Sequence, residues 1–229
     1  ENHKHSSVRV YVDGGLNPEF EDQVKFSTIS NFENINDWTS NVFQRKKFGI
    51  IVNRAERWNE NIALRIQQYM APFLSKNKGR YELEITLFIG NYGYTPFGFH
   101  IDDEDTSVIH FHLGPGQKDM HLLERTRFVQ EKSGQANRCF NYDKLEPLSE
   151  KFNIEEKDLF VLPAHLYHLG NTPDFSIGLA LAIIDDTKKH RRKEAISDNF
   201  DSFMECNPNA KLADFQEFIY QRQDSLRKS

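Results

Sequence analysis

The sequence predicts a mainly β protein with flanking helices, arranged as a double-sheet jelly roll. Between residues 81 and 184, short apolar segments alternate with clusters of Gly, Pro, Asn and Asp, which is the pattern of strands and turns. Aromatic residues form 13% of the 229 residues, with 19 Phe among them, and these residues favour strands. We therefore place a jelly-roll core at residues 81–187.

The core begins with residues 81–89, in which apolar and polar side chains alternate as in a half-buried strand. Further strands are predicted near residues 98–102, 106–113, 120–123, 159–162 and 175–184. The last of these has one small face, formed by Ser176, Gly178, Ala180 and Ala182. A small face leaves room for a ligand beside it, and close sheet packing explains it equally well.

The segments on either side of the core have helical periodicity. Residues 1–80 contain a short strand at 8–12 and covering helices around 35–42 and 62–73. Residues 188–229 form a polar appendage whose apolar stripe comprises Leu212, Phe215, Phe218 and Ile219. This C-terminal helix either packs on the core or forms the contact of a homodimer. We predict one structural domain overall.

Composition excludes several classes of partner. The net charge is -5, from 29 Lys and Arg against 34 Asp and Glu, so the chain lacks the basic surface that nucleic acid requires. No apolar run approaches the ~20 residues that cross a bilayer, so we predict no membrane partner. Two Cys cannot build a disulfide framework, which favours a reducing, cytoplasmic location.

The chemistry is concentrated around His100 and Asp102. On a strand, residues i and i+2 point to the same face, so this imidazole and this carboxylate converge. A later histidine would complete the set of two His and one carboxylate that holds iron in non-haem Fe(II) oxygenases. His168 and His165 are both candidates, and we prefer His168, on the turn that leads into the last core strand. On an extended segment, His165 would face the other way.

Two blocks of the sequence resemble the JmjC-type, cupin-fold oxygenases that depend on Fe(II) and 2-oxoglutarate. Thr95-Pro96 ahead of His100-Ile-Asp102 resembles the approach to the family's HxD motif. Asp158-Leu-Phe-Val-Leu-Pro163, with His168 five residues later, is similar to the family's D-L-x-x-I-P block and its second histidine. The resemblance implies Fe(II) held by His100, Asp102 and His168.

The resemblance also implies a site for the cosubstrate. Gly116-Gln-Lys118 is similar to the family's G-x-K, whose lysine binds the distal carboxylate of 2-oxoglutarate. That carboxylate needs a hydroxyl partner as well, and the candidates are Thr95, Tyr92 and Tyr94. O2 is the second cosubstrate, and the products implied are succinate, CO2 and a hydroxylated substrate.

A second histidine pair, His110 and His112, allows another interpretation. Ordinary cupins bind metal through HxH, a following Glu and a later His, here His168. The expected Glu is missing and Gln117 is the nearest substitute, so we interpret His110 and His112 as pocket-lining residues that contact substrate or cosubstrate. The alternative is a metal cupin, a dioxygenase or isomerase that does not use 2-oxoglutarate.

The substrate class follows only from the resemblance. The family hydroxylates protein and peptide side chains, demethylates lysines and, in some bacterial members, modifies small molecules. We favour hydroxylation of a peptide or protein side chain. A small-molecule hydroxylase of the same chemistry and a non-catalytic peptide-binding module are the alternatives.

Overall fold

A computed structural model describes residues 8–27, 32–77, 81–102, 106–131 and 138–185, and in the C-terminal part residues 203–208, 210–211, 214–215 and 218. The chain divides into two compact units, residues 1–184 and 185–229. The sequence-based boundaries after residues 80 and 187 stay predictions.

The larger unit is built from strands and helices in the following order. The strands are β1 (Val8–Val12), β2 (Gly15–Leu16), β3 (Phe48–Asn53), β4 (Tyr81–Gly90), β5 (Gly93–Tyr94), β6 (Phe99–His100), β7 (Thr106–Pro115), β8 (Lys118–Leu123), β9 (Arg138–Cys139), β10 (Glu150–Ile154), β11 (Leu159–Leu162), β12 (Tyr167–Thr172) and β13 (Ser176–Asp185). The α-helices are α1 (Pro18–Phe26), α2 (Ile35–Phe43), α3 (Glu60–Lys76), α4 (Arg125–Glu131) and α5 (Tyr142–Leu145), and short 3₁₀ turns occupy Ala55–Arg57 and Glu146–Leu148.

The strands form two antiparallel sheets. The larger sheet has seven strands in the order β11-β7-β13-β4-β3-β1-β2. The smaller has six, in the order β10-β8-β12-β6-β9 with β5 also paired to β12. From β6 onward the chain passes repeatedly between the sheets, with β6, β8, β10 and β12 in the smaller one and β7, β11 and β13 in the larger one. The predicted mainly β jelly roll with flanking helices is therefore confirmed.

The two sheets pack face to face. Val108 and Leu162 of the larger sheet and Met120 and Ile154 of the smaller sheet form one buried apolar cluster. The outer face of the larger sheet is covered by α3, where Met70 packs with strand residues that include Ile85 and Leu181. Side chains alternate along each strand, so β7 and β13 contribute to both layers.

Both predicted covering helices are present. Asn34 starts α2 by accepting a hydrogen bond from the Asp37 amide (2.9 Å), and Asn59 starts α3 by accepting one from the Asn61 amide (2.9 Å). No described helix is long and apolar enough to cross a membrane. In the C-terminal unit the rings of Phe203, Phe215 and Phe218 contact one another.

Local predictions differ from the structure at several points. The strand predicted near residues 98–102 is limited to Phe99–His100, and the predicted turn around His168 is the strand Tyr167–Thr172. The strand Phe48–Asn53 was not predicted. Strand β12 contains Gly170 and Asn171, which disfavour strands locally, and its pairing with β8 and β6 overrides this tendency. Leu212 and Ile219 of the predicted C-terminal stripe lie outside the described residues, and the homodimer stays a prediction.

Candidate metal centre

His100 and His168 face each other across neighbouring strands of the smaller sheet. They form a directly opposed pair between β6 and β12, and their ring centroids lie 4.3 Å apart. Asp102 follows β6 and lies 3.8 Å from the Nε2 atom of each ring, through its two carboxylate oxygens. One ligand atom from each residue lies within 4.8 Å of the others. This convergence is the geometry that a single metal ion requires.

The backbone orients the first of these histidines. His100 Nδ1 lies 2.9 Å from the carbonyl oxygen of Gly98, and since a carbonyl only accepts, Nδ1 is the protonated nitrogen. The lone pair is then on Nε2, which faces Asp102. Gly98 has a φ of 67°, and a Cβ there would lie 2.6 Å from the carbonyl oxygen of Cys139. Glycine is therefore required at the position that orients the ligand.

Burial keeps both ligand imidazoles neutral. It lowers the pKa of His100, against the hydrogen bond to Gly98 and the charge of Asp102. It lowers the pKa of His168 further, together with the neighbouring His100, while a hydrogen bond with the backbone of Leu166 acts in the opposite direction. Neutral imidazole is the form that binds a metal, so two nitrogen donors and one carboxylate fit a divalent transition metal.

The candidate ligands open into a cavity of about 360 Å³ between the two sheets. The small face of β13 contributes Ala180 and Ala182 to its wall, which is the room for a ligand that one interpretation predicted. Gly178 agrees with the other explanation of the small face, close packing, since a Cβ there would lie 2.5 Å from Cε1 of His110. The same small face therefore leaves space at two positions and allows close packing at a third.

Lys118 is a buried cation in this cavity. It is 4% exposed, its ammonium donates to the Tyr92 hydroxyl at 3.5 Å, and it lies 5.1 Å from the centroid of the Phe88 ring. Within the part of the chain that the structure describes, Lys118 forms no salt bridge with a carboxylate. A buried ammonium without a counter-ion is costly, so the site favours an incoming anion.

Thr95 lies beside Lys118. Its Oγ1 accepts a hydrogen bond from the Gly170 amide at 3.4 Å, which leaves the hydroxyl proton available to an anion. A Cβ on Gly170 would lie 2.9 Å from Cε of Lys118 and 3.3 Å from Cγ2 of Thr95. Lys118 and Thr95 both line the metal cavity, whereas Tyr92, whose hydroxyl lies beside the Lys118 ammonium, lines a second cavity. Their role in binding the cosubstrate stays a prediction.

Tyr94 lies elsewhere, and this corrects the prediction for it. Its ring stacks on Tyr142 with centroids 4.2 Å apart, at a second cavity of about 260 Å³. A hydrogen bond to Glu146 raises the pKa of Tyr94 to about 12. Because the Tyr94 hydroxyl donates its hydrogen bond to Glu146, it is not the hydroxyl beside Lys118.

His110 and His112 are both buried, and they differ in role. His110 lines the metal cavity, and burial with the nearby Lys118 holds its pKa well below the usual range. His112 Nε2 lies 2.6 Å from the Gly116 carbonyl oxygen, and the residue is not part of the cavity wall, which corrects its predicted role there. His165 is exposed in the turn before β12. Among the described residues, the cluster that could hold a metal ion consists of His100, Asp102 and His168. It does not include His110, His112 or His165.

Sequence reasoning missed charged residues of the cavity wall, among them Arg9 on β1 and Arg138 on β9. Arg9 belongs to the flanking N-terminal segment, and the sequence before Arg138 carries no motif. No local signal indicates either residue, because their positions depend on how the two sheets are assembled.

Comparisons with known proteins add the following. No family model and no curated protein matches the sequence. Two solved structures of YcfD from Escherichia coli, one described as a ribosomal oxygenase in complex with cobalt and succinic acid, each cover 96% of this chain at 14% identity, with TM-scores of 0.49 and 0.47. The chain spans 56% and 54% of those structures. Similarity at this level assigns neither family nor activity, so the functional conclusion depends on the residues of the site.

Proposed function

We propose that the protein is an Fe(II)- and 2-oxoglutarate-dependent oxygenase that hydroxylates a C–H bond of a peptide or protein side chain and releases succinate and CO2. The observation that carries this proposal is the presence, in one cavity, of the His100, Asp102 and His168 cluster and of a buried lysine without a carboxylate partner. The first fits a metal ion with open coordination positions, and the second fits an anionic cosubstrate.

The ligand set suits iron in the Fe(II) state. Two neutral imidazoles and one carboxylate on one side of the metal leave positions for cosubstrate and O2, as in other non-haem oxygenases. Fe(II) bound there, with 2-oxoglutarate and O2, supplies the oxidising chemistry. Gly98 and the backbone at Leu166 hold the two rings in the orientation that presents nitrogen lone pairs to the metal.

Lys118 holds the distal carboxylate of 2-oxoglutarate in this proposal. Its ammonium forms a charge-assisted hydrogen bond, which is strengthened because Lys118 is buried. Thr95 donates its free hydroxyl proton to the same carboxylate, and Tyr92 positions the ammonium from the other side. His110 stays neutral near Lys118, so it adds no positive charge to compete for the anion.

The size of the cavity favours a side chain as the substrate. At about 360 Å³ it lies near the lower end of the ~300–1,000 Å³ typical of ligand pockets. Much of that volume is needed for the cosubstrate, so the remainder accommodates a reacting side chain and leaves the bulk of the substrate outside. Cys139 and Cys206 are both free, which supports the reducing, cytoplasmic location that is part of this proposal.

Anaerobic reconstitution tests the proposal without a substrate. The protein with Fe(II) and 2-oxoglutarate should develop the visible charge-transfer absorption of a chelated iron, and admission of O2 should produce succinate. Asp102→Ala and His168→Ala should abolish both signals, whereas His165→Ala is a matched control that removes an exposed histidine and should retain them. Absence of both signals from the unaltered protein contradicts the proposal.

A further inference from the structure

The metal cavity is lined by two arginines that come from different sheets and share one aromatic ring. Arg9 lies on β1 and Arg138 on β9, and their guanidinium carbons lie 5.1 Å and 5.7 Å from the centroid of the Phe97 ring. That ring is in edge contact with the ring of His100, with centroids 5.4 Å apart. Arg138 is also the direct cross-strand neighbour of His100. Arg138 is therefore next to a candidate metal ligand, and Arg9 is separated from it by the Phe97 ring.

Neither guanidinium is neutralised within the part of the chain that the structure describes. Arg9 donates to the amide oxygen of Asn53 at 3.3 Å, and its Nε atom is buried without a hydrogen-bond partner. Glu84 also lines the cavity, and its carboxylate is paired with Arg54 at 2.9 Å. Two like charges lie around one ring and one of them carries an orphaned donor, so the pair favours an anion supplied from outside.

We propose that Arg9 and Arg138 form the subsite for an oxyanion, a carboxylate or a phosphate, that the substrate carries. The inference rests on the proposed function and adds the class of substrate: an acidic group binds at the arginines, and the neighbouring C–H lies close to the metal. A guanidinium presents two parallel N–H donors that match both oxyanions. The Phe97 ring lies near both guanidinium groups and supplies an apolar surface beside them.

The arginines are better placed for the substrate than for the cosubstrate. Lys118 is buried, with Thr95 and Tyr92 beside it, and already completes a site for one carboxylate. Arg138 is exposed and Arg9 is half-buried, so they line the part of the cavity that solvent and an incoming chain can reach.

Three capped pentapeptides test the inference on the metal-free protein: one with a single Glu between glycines, its Gln counterpart and its phosphoserine counterpart. Titrations followed by ligand-observed NMR should show the Glu or the phosphoserine peptide binding about tenfold more tightly than the Gln peptide. Whichever of the two binds more tightly identifies the oxyanion. Arg9→Gln and Arg138→Gln should each weaken that binding about tenfold, and Arg65→Gln, an exposed arginine on α3, should not.

Equal binding of the Gln peptide, no measurable binding of either acidic peptide, or unchanged binding in both arginine variants overturns the inference. So does loss of the Fe(II) and 2-oxoglutarate absorption in Arg9→Gln and Arg138→Gln, because the arginines would then hold the cosubstrate. Since the peptide titrations need no metal, absence of that absorption in the unaltered protein counts against the proposed function alone.

Discussion

This protein has two buried histidine pairs, and they differ in what their surroundings allow. His100 and His168 belong to different strands, oppose each other directly and share Asp102 as a neighbour of both Nε2 atoms. His110 and His112 lie two residues apart on one strand, with ring centroids 5.9 Å apart. His112 Nε2 binds the Gly116 carbonyl, and His110 Nε2 is buried beside Gly178. The first pair can therefore bind a metal, whereas the second packs the sheet.

The difference shows that proximity of two imidazoles is insufficient for a metal site. The ligand nitrogens must point at one position, and a carboxylate must reach the same position from a segment that is free to bend. Asp102 meets this condition because β6 ends at His100, so the chain departs from the strand before the carboxylate. Strand β7 continues through His112, and its regular geometry keeps the two imidazoles apart.

The largest expected difference between the two histidine pairs is in their contribution to Fe(II) affinity. We expect His168→Ala to weaken Fe(II) binding at least about 100-fold, because it removes a direct ligand. His112→Ala should leave Fe(II) affinity nearly unchanged and lower the free energy of unfolding by about 2 kcal/mol, through a lost buried hydrogen bond and a new cavity. Anaerobic Fe(II) titration measures the metal affinity, and urea unfolding measures the free energy of unfolding. Equal losses of Fe(II) affinity in both variants would contradict the assignment of His168, and not His112, as a metal ligand.

Gly98→Ala should damage the ligand pair through the backbone. The new Cβ meets the Cys139 carbonyl oxygen at 2.6 Å while the residue keeps a φ of 67°, so we expect a loss of about 2–4 kcal/mol in unfolding free energy and weaker Fe(II) binding. Gly14→Ala is the control, since Gly14 has a φ of 85° and no atom within 4 Å of its Cβ position. Denaturant unfolding should show the larger loss for Gly98→Ala, and similar losses would remove the steric explanation.

Two glycine substitutions should sharpen the contrast between the anion site and the packed histidine. Gly170→Ala displaces Lys118 and should raise the Kd for 2-oxoglutarate about tenfold, because a charge-assisted hydrogen bond loses its geometry. Gly178→Ala displaces the buried ring of His110 and should cost about 1–3 kcal/mol in stability. Titration of the anaerobic Fe(II) protein with 2-oxoglutarate should show the larger effect for Gly170→Ala, and thermal unfolding should show the larger loss for Gly178→Ala. The opposite result would contradict the assignment of Lys118 to the anion site.

The metal-free protein should become less stable as the pH is lowered, because His110 is buried in its neutral form. Burial lowers the folded-state pKa of His110, with Lys118 and His112 adding to the effect, so the folded protein prefers the neutral ring. The associated stability is present above the unfolded-state pKa of about 6.5 and is lost as pH falls below it, by at most about 1.4 kcal/mol per pH unit for one proton. Urea unfolding at several pH values should give a shallower slope for His110→Asn, and an unchanged slope would exclude His110 as a source.

The smallest effect should distinguish two neighbouring tyrosines. Tyr92→Phe removes the hydroxyl that positions Lys118, and we expect about a threefold rise in the Kd for 2-oxoglutarate. Tyr94→Phe removes a hydroxyl that binds Glu146 and should leave this Kd unchanged. The same anaerobic titration measures both variants, and a larger effect of Tyr94→Phe would mean that the Tyr94 hydroxyl contributes to cosubstrate binding.

Local patterns in the sequence were sufficient for the class of fold and for part of the site. Alternation predicted β4 and β13, and the i, i+2 spacing of His100 and Asp102 predicted that the two would converge. Parity along a strand explains the alternation in β4 and β13. Asp102 converges with His100 although it lies beyond the end of β6, so this prediction was right for a different structural reason. The strand β12 escaped the same reasoning, since its residues have weak strand propensity and its neighbours in the sheet are distant in the chain.

By itself, the sequence determined a mainly β protein with a histidine and a carboxylate on one strand end, because these properties depend on neighbouring residues. Only the tertiary structure placed His168 opposite His100, directed Tyr94 to Glu146 and set Arg9 and Arg138 around Phe97. Those contacts depend on strand register and on the packing of two sheets, which bring together residues that no local spacing relates.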